Sequence, residues 1–598
     1  MANFLAVVDP DPARRAAYLA GAADRLQIVS GLRAGECASG AFAAVWAASE
    51  LAPISVAADA HGAGVVWGNA LERDGTEATA EIVRRSWALA SPEVPHVWDG
   101  FYAAVAYDLQ RGLTAGADVF GLFPVYYWSL RDVVVVSSSI SAIRAHPSFD
   151  GRFNPLGLTG ILLTGSSLDG ETMWTGVRRL APGCLVRWTR DGSAREVRQY
   201  TFPTEETLGA GRLDEHVAML DDALERVMSR HVRANDDVGL LLSGGRDSRV
   251  VAGLLHRRGM QVRTLTLGFP NDYEALGASA VARTLRWPHV VAPDPGPDDL
   301  EELVRLHVRH EQLINGMSNV HTWGMLPPLA GLGSRILSGY WIEMFIGGWA
   351  RALPRTSGAT PAEDLVLRAT SYGLAPAQLR GLLPRDLFGT AVDDCLERIR
   401  AAHESLPADP DRRGWQFDLH HRGRFHAGST PWRMSLSRWP VMLALDRELV
   451  ELCASFPRST LVDRRAEDEL LRTRFLALAR LPLDRDSNDT EPLAPSLGWR
   501  VRRFITDRLL GGDTRSRGVP SLERRRYHRL FDINAPGWRA MRAIAEPGRG
   551  PAATVLNAAA LDALLPAPSA NVEPPYPVAG SNGLKSLIGF LVWMMDHA

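Results

Sequence analysis

Lysine is almost absent from this chain of 598 residues: among 66 lysine and arginine residues, the only lysine is Lys585. Its scarcity excludes lysine-dependent motifs, above all the Gly-Lys-Ser/Thr ending of the Walker A phosphate loop. Cysteine is also scarce, and Cys37, Cys184, Cys395 and Cys453 are far apart and form no C-x-x-C pair. That spacing excludes a zinc ribbon and a disulfide scaffold, and it predicts reduced, buried thiols.

Long hydrophobic runs are missing as well. The longest late apolar stretch, residues 587–595, is shorter than the roughly 20 residues that a membrane-spanning helix needs, so we expect the packed face of a final helix. Residues 1–15 have no basic segment followed by an apolar core, so no signal peptide is predicted and a cytoplasmic protein is expected. A formal net charge of −2 argues against general binding of nucleic acid.

The chain does have ample material for folded cores, with 46% hydrophobic and 22% charged residues. Its first part consists of short apolar runs separated by turn residues, and residues 101–108, 124–130 and 132–139 are predicted strands. A linker is predicted after residue 200, and helical patterns dominate beyond it. We therefore predict two domains: residues 1–205, a mainly β domain with stacked sheets, and residues 206–598.

The segment from residue 236 to residue 269 carries the strongest signal. A short apolar strand leads into the polar loop Ser-Gly-Gly-Arg-Asp-Ser at residues 243–248. A helical pattern follows over 249–258, and a second apolar strand follows over 262–269. This β-loop-α-β pattern is the building block of a doubly wound parallel sheet.

The loop contains the groups that hold a diphosphate. Gly244 and Gly245 let the backbone approach the anion closely, and N–H groups at the start of the helix point towards it. Ser243 and Ser248 add hydroxyl donors, whereas the carboxylate of Asp247 suits a Mg²⁺ ion that bridges phosphate oxygens. The alternative is an ordinary glycine turn between a strand and a helix.

SGGRDS matches the PP-loop of the N-type ATP pyrophosphatases, which cut ATP between the α and β phosphates. Three further stretches resemble the asparagine synthetase family. Residues 98–143 and 170–183 are similar to its glutaminase domain, residues 337–348 to its L-S-G-x-G-x-D-E-x-x-G-G loop, and residues 432–457 to its D-R-M-S-M segment. In the glutaminase-like part the match is carried by Asp108, Asp118, Gly121, Pro124, Tyr126, Tyr127, Ser137 and Ser138.

The resemblance implies the architecture of both domains. The N-terminal part is expected to be an α+β, glutaminase-like (Ntn-type) β-sandwich domain. The C-terminal part is expected to be an α/β synthetase domain, with a parallel sheet of the adenine-nucleotide α-hydrolase type.

The sequence departs from the family at position 2. Glutamine-dependent members begin Met-Cys and use that cysteine as the nucleophile, whereas this sequence has Ala2. We therefore expect residues 1–205 to be a degenerate amidotransferase-like domain that releases no ammonia from glutamine and is either structural or peptide-binding. The amine would then arrive with the substrate, as it does in β-lactam synthetases and lasso-peptide macrocyclases.

The loop at 337–348 resembles that group of enzymes. Tyr340 stands where β-lactam synthetases have a tyrosine implicated in deprotonating the amine, and Glu343 stands where the family has an aspartate, the expected second Mg²⁺ ligand. Trp341 replaces a small residue, which implies a reshaped pocket. The alternatives are a core aromatic residue for Tyr340 and a surface acid for Glu343.

The diphosphate site is expected to contain a positively charged side chain. The lysine that the family places there is missing from residues 481–489, and Arg485 is the cation predicted to replace it, unless it is a surface or salt-bridged residue. A separate basic cluster is predicted to be a solvated helix face or a surface for an anionic partner. Its members are Arg515, Arg517, Arg524, Arg525, Arg526 and Arg529.

The resemblance implies an ATP- and Mg²⁺-dependent ligase. ATP is expected to lie at the strand ends with Leu242 and Leu267, flanked by Ser338 and Gly339, with catalytic roles for Tyr340 and Arg485 and a Mg²⁺ ion between Asp247 and Glu343. The favoured reaction joins an Asp or Glu side chain of a ribosomal precursor peptide to its N-terminal amine, as in lasso-peptide cyclases. A leader peptidase and a leader-recognition protein are implied partners. The alternatives are a β-lactam or other small-molecule amide synthetase, a glutamine-independent asparagine synthetase homologue, and a non-catalytic nucleotide-binding scaffold.

Overall fold

The computed structural model describes residues 2–89, 96–190, 192, 194–203, 205–209, 211–346, 360–407, 409–483, 491–509, 524–573 and 581–597. The strands of its first part are β1 Ala2–Val8, β2 Arg33–Ser39, β3 Phe42–Ala48, β4 Ile54–Asp59, β5 Gly62–Gly68, β6 Tyr102–Asp108, β7 Gly112–Ala117, β8 Tyr126–Leu130, β9 Val133–Ser137, β10 Arg178–Arg179, β11 Cys184–Trp188 and β12 Ala194–Arg198. The strands of its second part are β13 Val238–Leu241, β14 Arg263–Leu267, β15 His289–Ala292, β16 Arg335–Ser338 and β17 Trp439–Val441.

Four helices accompany the first twelve strands, and they are α1 Pro12–Leu26, α2 Ala80–Leu89, α3 Ile140–Arg144 and α4 Pro155–Thr164. The helices that follow are α5 Leu213–His231, α6 Arg246–Arg257, α7 Tyr273–Leu285, α8 Leu300–Glu311, α9 Leu326–Leu329, α10 Glu343–Ile346, α11 Pro361–Thr370, α12 Pro376–Leu382, α13 Arg385–Phe388, α14 Ala391–Glu404, α15 Pro410–Asp418, α16 Ser429–Met434, α17 Arg447–Ser455, α18 Arg458–Leu461, α19 Arg465–Arg474, α20 Leu476–Ala479, α21 Leu497–Leu509, α22 Arg526–Phe531, α23 Pro536–Ala545, α24 Arg549–Ala552, α25 Ala558–Leu564 and α26 Asn582–His597. A π-helical segment spans Leu419–Ala427.

The first part is a sandwich of two antiparallel sheets, in the strand orders β10-β8-β9-β1-β3-β2 and β12-β11-β7-β6-β5-β4. Side chains alternate along β1, because successive residues of a strand face opposite sides of the sheet. Phe4 points between the sheets and stacks on Trp67 with ring centroids 4.0 Å apart. Leu5 points to the opposite side of the sheet and belongs to a second hydrophobic cluster, which includes Tyr18 of α1. The strands predicted at 101–108, 124–130 and 132–139 are confirmed as β6, β8 and β9.

The second part is built on a five-stranded parallel sheet in the order β15-β14-β13-β16-β17. The chain moves outward from β13 to β15 on one side, and β16 and β17 then lie on the other side. The strand order therefore reverses between β13 and β16, and in open α/β sheets ligands bind at such a switch point, beyond the carboxyl ends of the strands. The β-loop-α-β prediction is confirmed by β13, α6 and β14.

The final helix is α26, as the apolar run at 587–595 predicts, and its residues from Leu584 to Met594 are buried. No helix in the described part of the chain combines the length and the apolarity that crossing a bilayer requires. All four cysteines are unbridged and buried, as predicted. The boundary at residue 205 stays a prediction.

Aromatic and charged contacts join the two parts. Trp439 of β17 packs on Phe101 with ring centroids 5.8 Å apart. Arg447, at the start of α17, pairs with the buried carboxylate of Asp99 at 2.8 Å. The buried guanidinium of Arg424, in the π-helical segment, donates hydrogen bonds to backbone carbonyls of the first part.

The solvated face predicted for the arginine cluster is wrong for Arg525, which is buried, and for two members that pair with acids. Arg526 pairs with Asp294 at 2.7 Å, and Arg529 pairs with Asp272 at 2.6 Å. These acids follow β15 and β14, so α22 lies against the carboxyl edge of the parallel sheet. The acids are 232 and 257 residues away along the chain, which is why the local sequence gives no sign of the pairing. Arg515 and Arg517 lie outside the described residues.

The ion pair between Arg433 and Glu311 is deeply buried between helices. Two hydrogen bonds of 2.6 and 2.7 Å join the side chains, which are 0% and 3% exposed. Burial alone would raise the pKa of Glu311, but the charges of Arg433 and His307 hold it at about 2. Because this pKa is lowered, the stabilisation is complete above the ordinary carboxylate pKa and is lost as the pH falls towards 2.

We expect Glu311→Gln to destabilise the chain by about 3–5 kcal/mol, because it leaves a buried guanidinium without its counter-charge. The measurement is the thermal unfolding midpoint near pH 7, which should fall by several degrees. Glu302→Gln, in the exposed first turn of the same helix, is the control and should change the midpoint little. Equal midpoints for the two variants would contradict the importance of this pair.

Candidate active site

Two loops meet at the switch point of the parallel sheet, one after β13 and one after β16. Gly339 of the second loop lies against the start of α6. A Cβ at this position would be 2.7 Å from Asp247 Cβ and 2.7 Å from the Ser248 backbone nitrogen. Only a residue without a side chain permits this approach, so the contact accounts for the glycine.

The loop of residues 243–248 is held in shape by its own two serines. The backbone N–H groups of Ser243 and Gly245 donate to Ser248 Oγ and Ser243 Oγ at 3.2 and 3.1 Å, and the two hydroxyl oxygens are 3.0 Å apart. Ser248 Oγ also donates to the Ser243 carbonyl at 3.1 Å. The turn therefore keeps its shape without a ligand.

The turn is open to an anion on its outer side. Ser243, Gly245 and Asp247 are partly exposed. In the described part of the chain, the N–H groups of Gly244, Arg246 and Asp247 find no protein acceptor. Free N–H groups at the start of a helix, with the positive end of the helix dipole, form an anion site. This arrangement fits the phosphates of a nucleotide.

The strands supply the floor of the site. Leu242 is 2% exposed, and its N–H donates to the Leu265 carbonyl at 2.9 Å, so this residue borders the site through its backbone. Leu267, at the end of β14, is partly exposed. Ser338, at the end of β16, is buried, and its hydroxyl accepts a hydrogen bond from the Tyr340 N–H at 3.4 Å.

Two arginines connect the turn to the helices that pack against it. Arg249 is fully buried and donates to the Gly244 carbonyl at 3.0 Å and to carbonyls of Leu478 and Leu481 at 2.9 and 3.0 Å. Arg246 pairs with Asp468 of α19. These contacts attach the loop to the helices that pack beneath it, so its position is set by more than the strand that precedes it.

Arg464 lies between the two acids predicted to bind Mg²⁺. Its guanidinium is 2.6 Å from Asp247 Oδ1 and 3.7 Å from Glu343 Oε2, and its Nε donates to Glu467 at 2.5 Å. The residue has a φ of +63°, which is unusual for a residue with a side chain. The neighbouring carboxylates raise the pKa of Arg464 further, so it is a permanent cation.

Three carboxyl groups, those of Asp247, Glu343 and Glu467, surround the single guanidinium of Arg464, so acids outnumber bases in this cluster. Glu467 is completely buried, and burial together with the charge of Asp247 outweighs Arg464 and raises its pKa to about 8. Glu467 is therefore protonated at neutral pH, whereas Glu343 is solvent-exposed. As the pH rises through 8, ionisation of Glu467 adds a negative charge beside the turn.

The acids fit a metal ion that arrives with phosphates. The described residues contain no cluster of three or more His, Cys, Asp or Glu side chains able to hold a metal. Mg²⁺ is commonly bound by one or two carboxylates together with substrate phosphates. Asp247 and Glu343 supply that number, and Arg464 already brings them together.

Tyr340 and Trp341 follow Gly339 in a strained turn. Trp341 has a φ of +73° and is 2% exposed, and its ring packs edge-on against Phe120 at 4.9 Å. Tyr340 is half-buried and borders two hydrophobic clusters. Burial raises the pKa of its hydroxyl despite the opposing charges of Arg526 and Arg433, so the phenol keeps its proton at neutral pH.

The structure brings together the predicted loop, Ser338, Gly339, Tyr340 and Glu343, and the predicted cation Arg485 is not among the residues that it describes. Lys585 is in α26, where its ammonium donates to the Phe531 carbonyl at 2.7 Å and burial lowers its pKa to about 7. The cation observed at Asp247 is Arg464, which sequence reasoning missed. The run of charges at 463–469 is a visible signal, but nothing in it specifies the turn that aims Arg464 at the loop.

Gly339→Ala tests the contact between the loops. The added methyl group must displace Asp247 or the start of α6, so we expect the affinity for magnesium pyrophosphate to fall by about tenfold or more. Isothermal titration calorimetry measures this affinity. Gly331→Ala is the matched control, because its nearest neighbour would be the Pro328 carbonyl at 3.5 Å. Unchanged affinity in the Gly339 variant would show that the contact does not shape the site.

Glu467→Gln tests the buried proton. In the parent chain, pyrophosphate affinity should weaken as the pH passes about 8, because the ionised carboxylate repels the anion. The glutamine resembles the protonated acid, so this alkaline loss should disappear while affinity near pH 7 stays similar. Glu469→Gln, on the same helix, should retain the loss. The same pH profile in the parent and the Glu467 variant would refute the assignment.

Two family models match the chain, in the order of its two parts. Residues 71–201 match the glutamine amidotransferase domain, and residues 219–339 match asparagine synthase. The second match includes the loop at 243–248 and ends at Gly339, one residue before Tyr340. The two matched ranges contain strands β6 to β12 of the sandwich and the first four strands of the parallel sheet.

Curated relatives agree with these models. Proteins named asparagine synthetase (glutamine-hydrolyzing) from Mycobacterium tuberculosis and Mycobacterium bovis are 27% identical over 241 residues, which is 37% of this chain and 36% of theirs. Carboxyethyl-arginine β-lactam-synthase from Streptomyces clavuligerus is 27% identical over 304 residues, 49% of this chain and 54% of the relative. The chain thus spans about a third to a half of the length of the relatives it matches.

Solved structures resemble the chain only weakly. The allosteric regulatory enzyme of purine biosynthesis has a TM-score of 0.23 at 11% identity, over 49% of this chain and 80% of its own. Glutamine phosphoribosylpyrophosphate amidotransferase from B. subtilis has a TM-score of 0.22 at 11% identity, over 49% and 65%. The family models and the relatives carry the comparison instead. A glutamine amidotransferase match followed by an asparagine synthase match is consistent with the asparagine synthetase family, which the chain resembles over residues 71–201 and 219–339.

Proposed function

We propose that the chain is an ATP-dependent amide-forming ligase that activates a carboxylate as its acyl-adenylate and joins it to an amine carried by the substrate itself. The observation that carries this proposal is the contact of two loops at the switch point. One loop offers free N–H groups to phosphates, and the other offers Tyr340 and Glu343 beside it. The family supports ATP as the nucleotide.

The side chains divide the binding of ATP between them. The N–H groups at the start of α6 and the hydroxyl of Ser243 hold the β and γ phosphates, and Arg464 adds positive charge next to Asp247. Asp247 and Glu343 are the residues that would hold Mg²⁺. When bound, the ion neutralises phosphate charge and so makes pyrophosphate a better leaving group.

The reaction proceeds in two displacements. A carboxylate oxygen of the substrate attacks the α phosphorus, and the bond to the β-phosphate oxygen breaks, so pyrophosphate leaves with the bonding electrons. The amine nitrogen then attacks the acyl carbon, and the bond to AMP breaks. The positioned loops hold the reacting groups together, which is the main source of rate in such a site.

Tyr340 acts as a hydrogen-bonding group and not as the general base. Because its hydroxyl is protonated at neutral pH, it orients the amine by hydrogen bonding and relays the proton that the amine loses. Glu274, at the start of α7, is an acid whose charge acts on this hydroxyl. The proton therefore leaves towards an acid or water beyond the tyrosine.

The thiols argue against glutamine as the source of the amine. Glutamine hydrolysis through a thioester needs an accessible thiolate. Burial raises the pKa of Cys37 and Cys184, raises that of Cys395 to about 12, and raises that of Cys453 further. No cysteine in the described residues is a reactive thiolate, so the first domain supports the second rather than feeding it ammonia.

The favoured substrate is a ribosomal precursor peptide whose Asp or Glu side chain is joined to its own N-terminal amine, as in the lasso-peptide macrocyclases that the sequence resembles. This preference rests on the resemblance of the sequence, and Trp341, in place of a small residue, is buried against Phe120 rather than open to a substrate. On this proposal, a leader peptidase and a leader-recognition protein supply the leader-free peptide.

A second candidate is a small-molecule cyclase. The match to carboxyethyl-arginine β-lactam-synthase covers 49% of this chain, more than the 37% that the asparagine synthetases cover. Both candidates close a ring within one substrate. Incubation with ATP, Mg²⁺ and either a leader-free precursor peptide or carboxyethyl-arginine separates them, because only the true substrate loses one water by mass.

Asp247→Asn tests the enzyme assignment itself. We expect release of pyrophosphate in the presence of substrate to fall by about a hundredfold or more, because the charge that holds the metal and Arg464 is removed. A coupled phosphate assay measures the rate, and Asp222→Asn, exposed on α5, is the control. Turnover at the parent rate in the Asp247 variant would remove the assignment. A parent chain that binds ATP without any turnover would favour a nucleotide-binding scaffold.

A further inference from the structure

A cavity of about 510 Å³ lies where the two domains meet, and the active-site loops contribute nothing to its lining. Helices α1 and α3 of the first domain form one side, and α8 and α26 of the second form the other. Its volume is in the range of pockets that hold small molecules. The reaction proposed above makes no use of it.

Three arginines converge on this cavity: Arg25 from the last turn of α1, Arg144 from the last turn of α3, and Arg309 from the last turn of α8. Within the described residues, none of the three is within ion-pair distance of a carboxylate. Asp24 and Asp596 also line the cavity and pair with none of them. Arg144 is partly buried, and Arg25 and Arg309 are exposed at the rim. Three arginines against two aspartates leave the lining with an excess of positive charge.

Arg144 is fixed in position. Its guanidinium carbon lies 3.8 Å from the centroid of the Trp174 ring, and its Nη1 donates to His597 Nε2 at 2.6 Å. His597 is held in turn, because its ring stacks on Trp593 at 4.3 Å and its Nδ1 donates to the Trp593 carbonyl at 2.8 Å. A guanidinium with a fixed plane presents paired N–H groups to an oxyanion at little entropic cost.

Hydrogen bonds also fix the side chains that line the cavity next to Arg144. Gln312 lines the cavity, and its Oε1 accepts hydrogen bonds from the indoles of Trp174 and Trp593 at 3.2 and 2.8 Å. Ser141 Oγ donates to the Arg309 carbonyl at 2.9 Å, which joins α3 to α8 across the domain boundary. Burial and the neighbouring Arg25 charge lower the pKa of Arg144 to about 10, the direction expected where a counter-ion is lacking.

We propose that this cavity binds a phosphate-bearing small anion at the junction of the two domains. Three guanidinium groups on separate helices match the several oxygens of a phosphate better than the two of a carboxylate. Because the lining comes from both domains, the bound anion holds them together and stabilises the folded chain by mass action.

The test is the stoichiometry of binding in the full-length chain, measured by calorimetry at low ionic strength with inorganic phosphate and with magnesium pyrophosphate as probes. The loop at 243–248 takes one pyrophosphate, so we expect two equivalents in the parent chain. The double variant Arg144→Gln, Arg309→Gln should bind only one, with the affinity of the lost site reduced at least tenfold. Arg305→Gln, on α8 and paired with Glu301, is the matched control and should bind two.

A variant of the catalytic loop separates this inference from the proposed function. Ser248→Ala should weaken one equivalent and leave the other intact, whether or not the chain proves to be a ligase. Phosphate binding without pyrophosphate binding at the second site would restrict the ligand to monophosphates. A single equivalent that Ser248→Ala removes and the double arginine variant retains would overturn the proposal, and so would two equivalents in the double arginine variant at unchanged melting temperature.

Discussion

The loops after β13 and β16 lie in van der Waals contact because Gly339 has no side chain to separate them from Asp247 and Ser248. Each loop alone carries incomplete chemistry. The first has N–H groups and a carboxylate, whereas the second has a phenol and another carboxylate. Parallel pairing of β13 with β16 brings both to the same edge, and the glycine lets them touch. This approach places Tyr340 and Glu343 beside Asp247, and Arg464 reaches the two carboxylates from the separate segment before α19.

Charge balance then decides how the site works. Three acids surround Arg464, one of them fully buried, and a single guanidinium cannot neutralise them all. The structure meets the imbalance by keeping a proton on Glu467. The cluster therefore favours cations while presenting N–H dipoles to anions a few ångströms away. A nucleotide that arrives with its own divalent cation suits this combination, and a bare anion is partly repelled.

The sequence predicted what depends on local patterns. The loop at 243–248 was readable because a strand, two glycines, flanking hydroxyls and a helix occur in one stretch, and the turn has the predicted place in the fold. The strands β6, β8 and β9 were readable from apolar runs between turn residues. Arg464 was not, because its role depends on two consecutive residues with positive φ and on a contact 217 residues away. The same holds for Arg526, whose acid follows β15. Long-range charge pairing leaves no periodic trace in a sequence.

The indole of Trp341 passes from the loop beside Tyr340 into the first domain, where it meets Phe120. The first domain therefore covers this ring. Here its removal would uncover a large aromatic side chain and release a backbone held at positive φ, two residues from Glu343. The first domain thus holds in place the loop that carries two of the candidate site residues.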